Sequence, residues 1–257
     1  MKKFIPLFLL IPLVVCAGLI YAPIPNTSVR VLQYRVRAAF GDKVALRMVG
    51  WMYANGWQLP KDDAKAVACY RKASEKGYAE AQVDLAYMYM AGRGVSRDYG
   101  QAGDWFRKAA DQGNARAQNA IGSMYNSGDG FPKDERQALY WYRLSAAQGN
   151  NGGENDLAWF YATCDDQTLR NPEAALRYAQ KAVRDTEEYP SPGYIDTLAE
   201  AYYVNGQYGN AVATEQRALD LLPKSMPADK RKEYEDRFEK YRLALKANPE
   251  SAGKGDQ

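Results

Sequence analysis

One phrase recurs four times at a fixed spacing of 36 residues: an aromatic residue, an arginine and, six positions further on, a glycine. It appears as Tyr34-Arg35 to Gly41, Tyr70-Arg71 to Gly77, Phe106-Arg107 to Gly113, and Tyr142-Arg143 to Gly149. Self-similarity at this period indicates stacked supersecondary units, none able to bury its apolar face alone and each sharing a core with its neighbours. Such a chain offers a long surface rather than a single cleft, which favours binding over catalysis.

Each unit reads as a helical hairpin. In the middle one, Leu85, Met88 and Tyr89 fall at i, i+3 and i+4 and form one stripe of a first helix. Ala102, Trp105, Phe106 and Ala109 form the same stripe on a second. Gly56, Gly92 and Gly128 stand where a left-handed residue ends the first helix. Asp98 with Gln101 and Asp134 with Gln137 have capping-box spacing at the start of the second, whereas Asp62 with Lys65 has half of it. Ala66, Ala102 and Ala138 occupy points where two helices approach closely. These positions place complete units at 45–80, 81–116 and 117–152. Residues 23–44 form a linker and an N-capping half repeat whose helix begins after Ser28.

On these residues the chain resembles the Sel1-like repeat, a longer-looped relative of the tetratricopeptide repeat, over residues 34–152. Two positions depart from the pattern: Cys69 stands where Trp105 and Trp141 stand, and Gln58 where Gly94 and Gly130 stand. From residue 153 the loop phrase disappears. Leu157, Ala158, Tyr161, Ala175 and Ala182 still describe two packed helices, with an insertion near 164–169 and Asn171-Pro172 opening the second helix. Leu198, Ala199, Tyr202, Gly206, Tyr208, Ala211, Ala218 and Pro223 have tetratricopeptide spacing. The expected repeats are therefore 153–188 and 191–223. Residues 227–257 add a capping helix, with Tyr234, Phe238, Tyr241 and Leu245 on one side and charged residues on the other, and then a polar tail. The expected fold class is all-α, a right-handed α-solenoid of helical hairpins preceded by an apolar leader.

That leader occupies residues 1–22. Lys2 and Lys3 precede an apolar run, and Val15-Cys16-Ala17 offers small residues for cleavage, so the segment reads as an export signal. Left uncleaved, residues 4–22 are also long enough, at about 19 residues, to span a bilayer. Val15 before Cys16 argues against a lipidated cysteine. The expected location is periplasmic or secreted, with a tether to the inner membrane as the alternative. Cys69 and Cys164 fall in separate units and are expected to be buried and unpaired.

Composition narrows the chemistry. The chain has no histidine, which removes imidazole bases and most zinc sites together. Its net charge of +3 includes the two leader lysines, and basic residues alternate with acidic ones along the helices, so nucleic acid is not an expected partner. The Asn126 to Gly130 stretch fits a calcium loop only if Tyr125 takes the first ligand position, and it reads as an inter-helix turn. Asp165-Asp166 has no nucleophile or phosphate loop beside it and reads as a solvated loop. The arginines at 35, 71, 107 and 143 follow a core aromatic in every copy, which suggests a repeated contact between units. No cofactor, metal or catalytic residue is expected.

Binding then belongs to first-helix positions that vary between copies. With Gly50, Ala86, Gly122, Ala158 and Ala199 set as equivalent, the groove side carries Arg47, Trp51 and Asn55, then Tyr87 and Met90, then Asn119, Ser123 and Asn126. Asn155 and Trp159 follow, then Asp196, Glu200 and Tyr203. Flat aromatics among amides suit a peptide backbone with apolar side chains. The Sel1-like resemblance implies an adaptor that organises complexes, so the expected function is a non-enzymatic scaffold for a protein or peptide of the cell envelope. Peptidoglycan binding, through Trp51 and Trp159 stacking on sugars, is the alternative. A β-lactam-interacting hydrolase is a weaker one, because no Ser-x-x-Lys motif and no cysteine pair per repeat is present.

Overall fold

Repeated glycines and aspartates punctuate the chain into helical hairpins. A computed structural model of the protein describes residues 29–253, and among these every regular element is helical. The first elements are α1 (Val29–Ala39), α2 (Lys43–Asn55), α3 (Asp63–Glu75), α4 (Ala79–Ala91) and α5 (Tyr99–Ala110). They are followed by α6 (Ala115–Ser127), α7 (Glu135–Ala147), α8 (Asn151–Thr163), α9 (Pro172–Arg184), α10 (Pro192–Val204), α11 (Tyr208–Leu221) and α12 (Ala228–Ala247), with a 3-10 turn at Pro249–Gly253. Helices α1–α5 belong to a unit ending at Gln112, and α6–α12 to a second beginning at Gly113. In each unit consecutive helices pack in pairs, the α-solenoid architecture.

The hairpin geometry follows from local chemistry. Gly56, Gly92 and Gly128 end their helices in the left-handed region, with φ of +68°, +64° and +84°. Asp62, Asp98 and Asp134 open the next helix by accepting the N–H of Lys65, Gln101 and Gln137. The reciprocal arm of the capping box is not formed as expected at Asp98: the Gln101 amide donates to the Asp98 carboxylate at 3.2 Å. A further bond closes each loop, the N–H of the capping aspartate donating to a tyrosine carbonyl nine positions earlier. The pairs are Asp62 to Tyr53, Asp98 to Tyr89 and Asp134 to Tyr125, at 2.9, 3.0 and 3.0 Å.

Gln58 adopts φ +57°, the left-handed conformation that Gly94 and Gly130 adopt in the other loops. At Gly94 an added Cβ would also lie 2.3 Å from the Asp63 carbonyl oxygen, so no other residue fits there.

In the first unit α2 packs on α3 and α4 on α5, with Ala66, Ala102, Tyr70 and Phe106 buried between them. Helix α1 covers α2 through Val31, Arg35 and Ala38. In the second unit α6–α7, α8–α9 and α10–α11 repeat the arrangement around Ala138, Tyr142, Ala175 and Ala211. The repeated arginines act between hairpins: Arg71 donates to the Tyr89 hydroxyl at 2.9 Å, and Arg143 to that of Tyr161 at 2.8 Å. Cys69 and Cys164 are free and buried, and burial pushes the Cys69 thiol up to about 11.

The α8–α9 hairpin lacks the loop phrase but keeps the closure, with Asn171 in place of aspartate and its N–H donating to the Tyr161 carbonyl at 3.1 Å. Its extra loop residues are largely solvent-exposed, as expected, but their backbone is anchored. The Glu135 carboxylate accepts the N–H groups of both Asp165 and Asp166, and Arg170 donates to the Cys164 carbonyl. Lys133 holds the Asp165 carboxyl below the usual range, and hydrogen bonds from Thr168 do the same for Asp166.

On α12, Tyr241 is fully buried, with Tyr234, Phe238 and Leu245 half-buried on the same side. Arg237 and Lys240 share that side instead of the opposite one. The leader, the Ser28 cap and residues 254–257 lie outside the described residues. Among the described residues no helix is long and apolar enough to cross a membrane.

Candidate functional site

In the first unit the candidate residues lie on α2 and α4. Arg47 does not reach into solvent: its Nε donates to Asp84 Oδ2 at 2.6 Å, joining the two first helices. Asn55 donates back to the Trp51 carbonyl. Trp51 is 41% exposed and meets Trp57, itself 42% exposed, with ring centroids 5.8 Å apart and planes tilted by 54°. Tyr87, which is equivalent to Trp51, is 42% exposed and rests edge-on against the buried Phe106 at 5.0 Å. Met90 is half-buried on α4. Trp51, Trp57 and Tyr87 are thus the open aromatic surface around α2 and α4.

In the second unit the polar candidates are drawn inward. Asn119 donates to Asp156 Oδ2 at 2.9 Å, joining α6 to α8 as Arg47–Asp84 joins α2 to α4. Asn155 donates to the other Asp156 oxygen at 3.3 Å, and burial raises the Asp156 carboxyl above its usual range. Both amide oxygens, Asn119 Oδ1 and Asn155 Oδ1, are buried without a partner in the protein. Ser123 accepts from the Tyr142 hydroxyl at 3.3 Å. Asn126 and Trp159 are half-buried, and the Arg237 guanidinium lies 5.9 Å from the Trp159 ring.

Asp196, Glu200 and Tyr203 are covered by α12. Arg237 Nε lies 2.5 Å from Asp196 Oδ1. Lys240 reaches both Glu200 oxygens at 2.9 and 3.0 Å, and the Tyr241 hydroxyl donates to Glu200 at 2.7 Å. Lys240 also sits 4.1 Å from the Tyr203 ring, which packs on Tyr241 at 5.1 Å. These three candidates therefore hold the terminal helix and offer little free surface.

Sequence reasoning missed Asp84, Asp156, Arg237 and Lys240, and also Glu215. The last is fully buried on α11, where its carboxyl shares a hydrogen bond with Asp196. Burial, with Asp196 and Glu200 beside it, pushes its carboxyl up to about 8 despite the nearby Arg237. A signal was present: Glu215 falls four residues after Ala211 and three before Ala218, on the core stripe. Among the described residues no group of three or more His, Cys, Asp or Glu is placed to hold a metal ion.

The Sel1 repeat family model matches residues 43–78, 79–114, 115–150 and 153–185, more than half of the chain. It counts as a fourth Sel1 repeat the unit read above as tetratricopeptide-like, consistent with the loop closure at Asn171. Among solved structures, a protective antigen of uropathogenic Escherichia coli with an SLR fold is 27% identical, with a TM-score of 0.60. The match covers 80% of this chain and 48% of that one, so the chain spans about half of the antigen's length. A Sel1 repeat protein from Oxalobacter formigenes is 36% identical over 50% of this chain and 96% of that one, with a TM-score of 0.46. No curated protein matches the chain. With four matched repeats over more than half of its length, the chain belongs to the Sel1 repeat family.

Proposed function

We propose that the protein is an exported, non-enzymatic scaffold that binds a segment of another envelope protein along the first-helix face of its repeats. Sel1 repeats build scaffolds that mediate protein–protein interaction, and this reading adds the face, the ligand type and the compartment. The observation that carries it is the exposure of Trp51, Trp57 and Tyr87 at about two-fifths each, beside helices α2 and α4 whose Leu46, Met52, Leu85 and Met88 are buried. Tyrosine and tryptophan give contact area at low conformational cost and dominate binding energy at interfaces. The charged or amide donors of the rungs Arg47–Asp84 and Asn119–Asp156 are already engaged within the array, so they link first helices and leave recognition mainly to the aromatics. Export rests on the basic and apolar leader, which when retained tethers the repeats to the inner membrane.

The test is a photoreactive residue at Tyr87 in living cells, with a control at the exposed Lys72 on α3. A discrete crosslinked protein from position 87 alone is the expected outcome, whereas equal labelling from both positions would count against the first-helix face. Sedimentation with purified cell wall separates a saccharide ligand, which would bring the repeats down without any protein partner.

A further inference from the structure

The terminal helix of a repeat array normally turns a polar face outward, because no further repeat covers it. Helix α12 follows this with Lys232, Glu235, Asp236, Glu239 and Lys246 exposed, interrupted by the exposed Leu243 alone among large apolar residues. Helix α1 does not. Its inner face, Val31, Arg35 and Ala38, is buried on α2, yet a second apolar stripe faces outward. Val29, Leu32, Val36 and Phe40 are 73%, 51%, 37% and 82% exposed and follow one another at i, i+3, i+7 and i+11, with Phe40 just past the helix end. Val44, in the first turn of α2, is a further 43% exposed. Helix α1 carries three arginines and no acidic residue. Arg30 and Arg37 are exposed beside the stripe, Arg37 sharing its charge with Asp42 at 2.5 Å.

An apolar stripe flanked by cations, on a helix without acids, has the composition of a helix lying in the interfacial plane of a bilayer. The chain before it names the bilayer. The apolar run ends at Ala22, and only residues 23–28 separate it from Val29. Six residues reach at most about 20 Å, so a membrane-spanning 4–22 segment keeps α1 within reach of the headgroups. We propose that the Val29–Leu32–Val36–Phe40 stripe is a second membrane contact, seated among the headgroups of anionic phospholipid, which orients the first repeat against the bilayer. This rests on the tethered form proposed above and goes beyond it, because the repeats themselves then touch lipid.

The experiment uses the full chain reconstituted into phosphatidylcholine–phosphatidylglycerol vesicles, with Cys16→Ser removing the leader thiol and an NBD probe on Leu32→Cys, Phe40→Cys or, as control, Lys72→Cys. Expected are flotation with the vesicles, loss of NBD emission at 32 and 40 when the lipids carry brominated acyl chains, and unchanged emission at 72. Val36→Glu, at an exposed position, should restore emission from the probe at 40 while flotation persists. Flotation with unquenched probes at 32 and 40 overturns the proposal but leaves the tether standing. Disulfide-linked dimers of the unlabelled Leu32→Cys chain, with probes unquenched, also overturn it and make a second copy the occupant. Failure to float overturns both the contact and the tether.

Discussion

Two residues hold conformations or charge states that their neighbours impose. Gln58 sits at φ +57° where two other repeats use glycine, and a left-handed backbone costs a non-glycine residue roughly 1–2 kcal/mol. Part of that is offset by glycine's greater unfolded-state entropy, so Gln58→Gly should stabilise the protein by up to ~1 kcal/mol. The check is a raised urea midpoint with an unchanged slope. Glu215 is buried, and burial beside Asp196 pushes its folded carboxyl up to about 8 from its ordinary 4.5. Between those values the folded state holds the proton and the unfolded state does not. Its contribution is therefore fullest below pH 4.5 and is lost as pH rises towards 8. Asp196 and Asp156, also raised by burial, act in the same direction. Glu215→Gln should gain stability over the native chain as pH rises from 5 to 8, by at most about 1.4 kcal/mol per pH unit. Parallel stability curves for the two proteins would contradict this.

At the scale of elements, α12 is held by one fully buried side chain, Tyr241, and by charges aimed at α10. Removing Arg237 leaves Asp196, 8% exposed, without its cation beside the buried Glu215. Arg237→Ala should cost about 2–4 kcal/mol. The loss should appear as faster hydrogen exchange along α12, with α2–α5 at native rates. Uniform acceleration would show that the helix is not a separate cooperative element.

The same helix shows where sequence reasoning stops. Hairpin register was readable because its determinants are local: Gly92 ends a helix and Asp98 starts the next within seven residues. The apolar side of α12 was readable from Tyr234, Phe238 and Tyr241. That Arg237 and Lys240 share that side and meet carboxylates 41 and 40 positions earlier was not, because periodicity gives a face and not its counterpart. The fourth Sel1 repeat was obscured in another way. Asn171 replaces the capping aspartate and inserted residues hide the loop phrase, although the backbone closure to Tyr161 survives. Of the candidate surface, the exposure of Trp51 and Tyr87 came through, while Arg47 and Asn119 were absorbed into contacts between first helices, and Asp196 and Glu200 into contacts with α12.

For the whole molecule, those absorbed residues define a division of labour. Polar pairs tie first helices within each unit, and the partly exposed aromatic area of Trp51 and Tyr87 beside the ties is the surface proposed to bind a ligand. The most direct measurement is calorimetric titration of the protein crosslinked through position 87 into the native chain and into the Trp51→Ala, Tyr87→Ala double variant, with Lys72→Ala as control. Both aromatics are already about two-fifths exposed, so the variant should keep its fold, as checked by helical circular dichroism. If these residues are binding hot spots, affinity falls at least roughly 30-fold, equivalent to about 2 kcal/mol, while Lys72→Ala binds like the native chain. Equal affinity for all three proteins would show that the partner docks elsewhere on the array.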